Sequence, residues 1–311
     1  MQCNICGGFT NMLEVREQMM GLNEAFIYQQ CINCGHTQLE TIPKNISRYY
    51  DTKQYYSFKK DSGLPKLIKS TKQIFKRGLV SLNVKKSLLY SSALQSVLSI
   101  DGVNKQSHIL DYGCGAGQFV KELQQIGFND TKGFDPYLPA SLNDWKKAGL
   151  TNNYTTLQAT NWDIITLNHV FEHLENPIEI LRDLNKLLST KGNLILRFPI
   201  IDSFAFEKYK ENWVQFDAPR HINLFTRKSI QIAVEKAGNY KIMAMYDDSF
   251  HFQFTGSELY LKKLSLSPKH NNQLKRLLSF KTYQYHFKAK QLNKQNKGDQ
   301  MVIILEKVNY S

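Results

Sequence analysis

The sequence predicts an α/β protein, and three observations carry that prediction. From residue 107 onward, short apolar runs alternate with helical patterns. The first run ends in a glycine turn, Gly113-Cys114-Gly115-Ala116-Gly117, and the second ends in an acid, Asp135. Ahead of this alternation stand two Cys-x-x-Cys pairs, which mark a small module of different character. The expected boundaries are a ribbon over 1–42, an aromatic and basic helical linker over 43–104, and the α/β domain over 105–311, with a basic insertion at 249–299.

With 311 residues, 42% of them hydrophobic and 12% aromatic, the chain can bury a real core, which excludes wholesale disorder. No apolar run approaches the roughly 18 residues needed to span a bilayer. The start, MQCNICGG, lacks the basic and apolar regions of a secretory signal, so a cytoplasmic protein is expected. In that compartment thiols stay reduced. The pairs Cys3/Cys6 and Cys31/Cys34, 24 residues apart, therefore read as a tetrahedral, structural zinc site rather than disulfides, with a redox pair or free thiols as the alternative. Gly7 and Gly35 follow the pairs and suit tight knuckles whose amides face the thiolates. His36 is expected at the surface. Phe26, Ile27 and Tyr28 fit short strands of a module whose own core is too small to fold without metal.

The linker opens with an aromatic cluster, Tyr49, Tyr50, Tyr55, Tyr56 and Phe58. It either packs on the main domain or stacks on bases or sugars. From Leu64 to Leu82, apolar residues at helical spacing alternate with Lys66, Lys69, Lys72, Lys76 and Arg77, an amphipathic basic helix. It either lies on the core or touches a membrane surface. Of the formal charge of +13, residues 53–86 and 256–298 each hold ten Lys/Arg against one acid, so the remainder is net acidic. Such local excess faces an anionic partner or is solvated.

In the α/β domain, Ser107–Asp111 is a short strand running into the glycine turn and a helix, the unit in which glycines let backbone approach a nucleotide. Asp135, 18 residues after Gly117, is placed to accept ribose hydroxyls. Cys114 reads as small-residue packing within the turn.

The pieces ILDYGCGAGQF, GFDP, DIITLNHVFEHL, GNLILRFP and MVIILEKV together resemble class I S-adenosylmethionine-dependent methyltransferases over residues 105–248 and 300–308. The cysteine knuckles, the aromatic segment and WVQFDAPRHINLFT extend the likeness to a bacterial subgroup associated with cell-surface polysaccharide or modified-sugar biosynthesis. The resemblance implies a Rossmann-like seven-stranded methyltransferase sheet ending in an antiparallel hairpin, Tyr240–Asp247 with Met301–Val308, interrupted by a helical insertion. It implies that Asp111, Gly113, Gly115, Gly117 and Phe119 cradle the methionine end of S-adenosylmethionine. Asp135 would hold the ribose, Phe134 and Pro136 would lie near the adenine, and Asn168 would sit beside the sulfonium. The family's acid after the third strand is missing, with Leu157, Gln158 or Asn161 in its place. The helix after the fourth strand opens at Asn176 with Pro177 and Glu179, resembling a capping box.

Methyl transfer needs alignment, and a base where the acceptor is a hydroxyl. His169, His173 and His221 are the candidates, because histidine titrates near neutrality. In the segment Trp213-x₃-Asp217-x-Pro219-Arg220-His221, Trp213 is a candidate to stack on a sugar and Arg220 to clamp a diphosphate. The expected partner is an anionic small-molecule or lipid-linked sugar. Peripheral membrane contact fits the basic segments. An RNA methyltransferase with a zinc ribbon and a non-catalytic binding protein are the competing readings.

Overall fold

The computed structural model describes residues 2–50, 66–138, 148–266 and 281–308. Tyr55, Tyr56 and Phe58, and the middle of the basic insertion, lie outside the described residues.

The N-terminal ribbon comprises β1 (Thr10–Arg16), β2 (Ala25–Cys31) and β3 (Thr37–Leu39), all antiparallel. Two helices follow, α1 (Lys66–Ser81) and α2 (Ser92–Ser99), the latter capped by the Ser91 side chain. The alternating region then gives β4 (Ile109–Tyr112), α3 (Gln118–Ile126), β5 (Thr131–Phe134), β6 (Leu150–Thr151), β7 (Trp162–Asn168), α4 (Pro177–Leu187) and β8 (Leu188–Pro199). It continues through α5 (Phe204–Tyr209), β9 (Asn223–Leu224), α6 (Arg227–Ala237) and β10 (Tyr240–Asp247). Helices α7 (Phe252–Leu261) and α8 (Lys281–Lys294) fill the insertion before β11 (Gln300–Lys307).

The large sheet has seven strands in the order β10-β11-β8-β7-β4-β5-β6. Strands β4 to β8 run parallel, and β11 pairs antiparallel with both β8 and β10, forming the expected closing hairpin. Both faces are buried, as a parallel sheet requires, and the period of two sorts the side chains. Leu110, Ile165, Leu167, Leu194 and Leu196 face α4 and α6 through Leu181, Leu184, Ile230 and Val234. Ile109, Ile164, Ile195, Val302 and Ile304 face α2 and α3 through Leu94, Val97, Leu123 and Ile126. The start of α4 differs from expectation: Pro177 occupies the first turn, but the Asn176 side chain makes no capping bond.

Strand β3 pairs with β9, so the ribbon and the segment after β8 form one four-stranded sheet. Around this seam the Tyr28 hydroxyl donates to the His221 carbonyl at 2.9 Å, and Thr226 Oγ1 donates to the Cys34 carbonyl at 2.6 Å. His36 corrects its surface assignment. It is fully buried against Phe225, with Nε2 2.9 Å from Asn223 Oδ1. Of the aromatic cluster, Tyr49 is buried and Tyr50 Oη reaches His173 Nδ1 at 3.2 Å, so these two pack on the main body. Helix α1 lies on α3 through Gln73–Gln125 at 2.6 Å and Lys76–Glu122 at 2.5 Å, while Ile74 and Phe75 remain 68% exposed.

Arg220 anchors the seam. Its side chain has no exposure, its fork is paired with Asp217, Nη1 donates to the Tyr49 carbonyl at 3.0 Å, and Nη2 lies 3.6 Å from Glu17. Removing one partner of a buried ion pair typically costs ~3–5 kcal/mol. Arg220→Ala should therefore lower stability by about that amount in a chemical-denaturation curve, whereas Lys186→Ala, in an exposed pair with Asp183, should change it by less than about 1 kcal/mol.

Candidate active site

The site lies at the C-terminal ends of β4, β5 and β7, where open α/β sheets bind ligands. Asp111, near the end of β4, is almost fully buried. It accepts from Thr166 Oγ1 at 2.8 Å and from Asn168 Nδ2 at 3.3 Å. Burial pushes its carboxyl up to about 7, against the lowering by those two bonds, and nearby Asp135 adds to the rise. No cation pairs with it among the described residues, so this carboxylate fits a ligand that brings an ammonium. The turn that follows needs glycine on two counts. Gly113, Gly115 and Gly117 all have positive φ (78°, 49° and 71°), and a Cβ at Gly113 would stand 2.3 Å from Val170 Cγ2. Asp135 gathers the amides of Gly115 and Tyr137, both at 2.9 Å, and so ties the turn to the tip of β5. Phe134 is buried between Tyr112 and Tyr154, Pro136 is exposed, and Phe119 is half-buried against the α2–α3 face.

Beyond Asn168 the chain turns sharply. His169 has φ 54°, and a 3₁₀ turn over Phe171–His173 brings three imidazoles around one carboxylate. Glu172 is completely buried, and neither oxygen has a hydrogen-bond partner among the described residues. His169 Nδ1 is 3.3 Å from Oε1 and His221 Nε2 is 3.8 Å from it. The His173 and His221 rings stand 4.8 Å apart. Burial alone would raise the Glu172 carboxyl, but the imidazoles of His169, His173 and His221 outweigh it and hold it down to about 2.

The neighbours decide the tautomers. Arginine only donates, so His169 Nε2, 2.9 Å from Arg197 Nη1, is the acceptor and Nδ1 carries the proton. Carbonyls only accept, so His173 Nδ1, 2.8 Å from the Arg220 carbonyl, and His221 Nδ1, 2.7 Å from the Gln215 carbonyl, both donate. The Nδ1 positions are thus committed, and Nε2 of each ring is the nitrogen not engaged by a carbonyl. Burial, then the neighbouring His173, pushes His221 down to about 4, so it is neutral near pH 7.

The four paired cysteines also converge. Their sulfurs lie within 4.8 Å of one another, with Cys3–Cys34 at 3.7 Å and Cys6–Cys31 at 3.4 Å. Amides of Ile5, Gly8 and Asn33 point at sulfurs from 3.4 Å. Four thiolates ~2.3 Å from a tetrahedral zinc would stand just under ~4 Å apart, so the donor set fits that ion.

A family model described as a methyltransferase domain matches residues 86–242, just over half of the chain. The chain belongs to this methyltransferase family. Among solved structures, a SAM-dependent methyltransferase from Archaeoglobus fulgidus is similar at 15% identity, covering 76% of this chain and 94% of that one, with a TM-score of 0.40. A putative methyltransferase from Bacillus halodurans C-125 is similar at 15% identity, over 70% and 100% of the two chains, with a TM-score of 0.42. No curated protein sequence matches the chain. The protein is an S-adenosylmethionine-dependent methyltransferase, and the ammonium-seeking Asp111, the glycine turn and Asp135 are residues that would hold that co-substrate.

Three expectations for this methyltransferase need correction. Arg220 does not clamp a diphosphate, because it is buried and its donors are spent on Asp217, Glu17 and Tyr49. Trp213 does not stack on a sugar. It has no exposure, and its Nε1 donates to Asp299 at 3.0 Å. The third strand of the sheet is β6 at 150–151, so the segment that follows it is Asn152-Asn153-Tyr154, and Gln158 and Asn161 instead line a hollow with Asp183 and Lys186. A two-residue strand has no periodicity to read. Sequence reasoning also missed the roles of Tyr50, Arg197 and Asp217 around the histidines. The spacing His169-x-x-Glu172 was the available signal, since one tight turn joins residues three apart.

The raised Asp111 carboxyl makes a pH prediction. An acid whose folded pKa (about 7) exceeds its unfolded value (about 3.8) contributes stability that is full below the unfolded value and lost as pH rises through the folded one. Asp111→Asn should therefore be more stable than wild type at pH 8, by on the order of 2–4 kcal/mol, and this gap should close near pH 4. The same variant should lose S-adenosylmethionine binding by calorimetry.

Proposed function

We propose that this methyltransferase alkylates a hydroxyl of a sugar or glycan intermediate, nucleotide- or lipid-linked, in cell-surface polysaccharide biosynthesis. The observation that carries the reaction is the cluster of Glu172, His173 and His221, reached through His169 directly from Asn168 and hence from Asp111. The sugar class is supported by the motif likeness of the cysteine knuckles and the segment around His221. An anionic carrier is supported by the exposed Lys281, Lys290 and Lys294 of α8 rather than by Arg220.

S-adenosylmethionine, when bound, supplies a methyl group already activated on a sulfonium. The chain's part is alignment and activation of the acceptor, and such positioning is worth roughly 7–11 kcal/mol. Asp111, with Asn168 beside it, would hold the ammonium, and Asp135 would exchange its amide contacts for ribose hydroxyls. Asn152 would face the adenine edge, where its amide can both donate and accept. His173 and His221 would present Nε2 lone pairs to the acceptor hydroxyl, with Glu172 stabilising the positive charge that develops on them. The hydroxyl gives up its proton, its oxygen forms the new bond to carbon, and the carbon–sulfur electron pair stays on sulfur.

Labelled S-adenosylmethionine incubated with nucleotide sugars, lipid-linked glycans and RNA should mark one of the sugar fractions. Label in RNA instead would overturn the acceptor class. His173→Gln and His221→Gln should each lower turnover ~10²–10⁴-fold while leaving S-adenosylmethionine affinity within about twofold; variants with undiminished turnover would remove the histidines from the reaction.

We further propose that Cys3, Cys6, Cys31 and Cys34 hold one structural zinc. Purified protein should carry one equivalent of the metal. Cys31→Ser should lower the melting temperature and speed amide exchange not only in the ribbon but at Ile222–Leu224, which the ribbon holds.

A further inference from the structure

A completely buried carboxylate calls for polar or ionic partners around both of its oxygens. Glu172 is such a group, and it is not alone in facing inward. One oxygen of Glu172 and one ring nitrogen each of His173 and His221 lie within 4.8 Å of one another. The separation of His221 Nε2 from Glu172 Oε1, 3.8 Å, is close to the ~3.5 Å that two ligands keep at ~2.1 Å from a tetrahedral cation.

The surroundings are those of metal-ligating histidines, which characteristically donate the second ring N–H to a carbonyl or carboxylate. His173 donates Nδ1–H to the Arg220 carbonyl and His221 donates Nδ1–H to the Gln215 carbonyl. His169 is excluded as a ligand, since its Nε2 already accepts from Arg197 and its Nδ1 is protonated. The charged groups nearby are settled elsewhere. Asp217, 3.8 Å from His221 Nε2, is paired with Arg220, and Arg197 is paired with Asp248 at 2.5 Å. The side chains left over are two imidazoles and one carboxyl group, a set that suits borderline divalent cations such as Mn²⁺, Fe²⁺ or Zn²⁺ and leaves positions open.

We propose that Glu172, His173 and His221 bind a divalent transition-metal cation, distinct from the cysteine site, which presents its open positions to the methyl acceptor. The role in catalysis rests on the acceptor reading above; the binding itself does not. In that role the two nitrogen lone pairs act on the acceptor hydroxyl through the cation, which lowers the hydroxyl's pKa so that its proton passes to solvent water while the oxygen keeps the electron pair.

Mn²⁺ is the probe, because it favours nitrogen and oxygen over a four-thiolate site. Full-length protein, washed with chelator and checked to retain its cysteine-bound metal, is titrated with MnCl₂, and free Mn²⁺ is read by electron paramagnetic resonance. One site is expected, with affinity at least tenfold weaker in Glu172→Gln and in His173→Gln. In wild-type protein the imidazole proton resonances of His173 and His221 should broaden with Mn²⁺, a readout that needs no variant to fold. No uptake of Mn²⁺, or uptake unchanged in both variants with those resonances sharp, overturns the site. Methyl transfer that survives chelation at full rate overturns its catalytic role. If Mn²⁺ binds as expected but no sugar acceptor is labelled, the acceptor reading fails and the cation site stands.

Discussion

The structure depends on one short pairing, that of Thr37 and Gln38 in β3 with Leu224 and Asn223 in β9. Without it the N-terminal ribbon would be an appendage, with too few apolar residues to fold on its own. With it, Ile5, Cys3 and Cys34 join the same buried cluster as Phe225, Ile230 and the strands of the large sheet. The pairing also fixes the chain between β8 and α6, which a single parallel bridge, Ile200 to Phe225, holds to the main body from the other side. A segment that would otherwise be a surface loop is thereby held on two sheets at once.

Burial of charge is the second constraint, and it sorts the ionisable groups by role. Arg220 satisfies Asp217 and lies near Glu17, which itself caps the amides of Met20 and Leu22 at 2.7 and 2.9 Å. That group is closed: every charge has a partner, and its work is structural. Glu172 and Asp111 are different: each is buried with no lysine or arginine paired to it among the described residues, and Glu172 has imidazoles around it instead. For Asp111, whose carboxyl is raised, ionisation in the folded state costs stability, a cost that a bound ammonium can offset. The two lie on either side of Asn168, which places the polar demands of the site along one strand end.

The sheet was legible because its strands are long and apolar enough to show their periodicity, and because the turn at Gly113 to Gly117 admits only glycine at the positive-φ positions. The closing hairpin and the helical insertion were legible for the same reason. What failed was environment. Arg220, Trp213 and His36 carry polar atoms, and composition alone places such residues at surfaces; each is buried where a partner distant in sequence, Tyr49, Asp299 or Asn223 respectively, shares a hydrogen bond with it, Arg220 being paired also with nearby Asp217. Strand β9 was invisible for a related reason. Two residues have no pattern, and the strand exists only because β3 offers an edge.

The ribbon therefore reaches the histidine pair through the segment between β8 and α6. Imidazole chemistry depends on which nitrogen holds the proton, and here two backbone carbonyls decide it, those of Gln215 and Arg220. Both belong to the segment that β3, Tyr28 and Tyr49 hold in place. Were that segment to loosen, His173 and His221 would lose the carbonyls that hold their Nδ1 protons and would be free to exchange tautomers. The ribbon pairs with the segment that carries these carbonyls, and the carbonyls hold the protons on Nδ1. Order in the ribbon is thus transmitted, through strand pairing and the bonds of Tyr28 and Arg220, to the Nδ1 protons of the histidine pair.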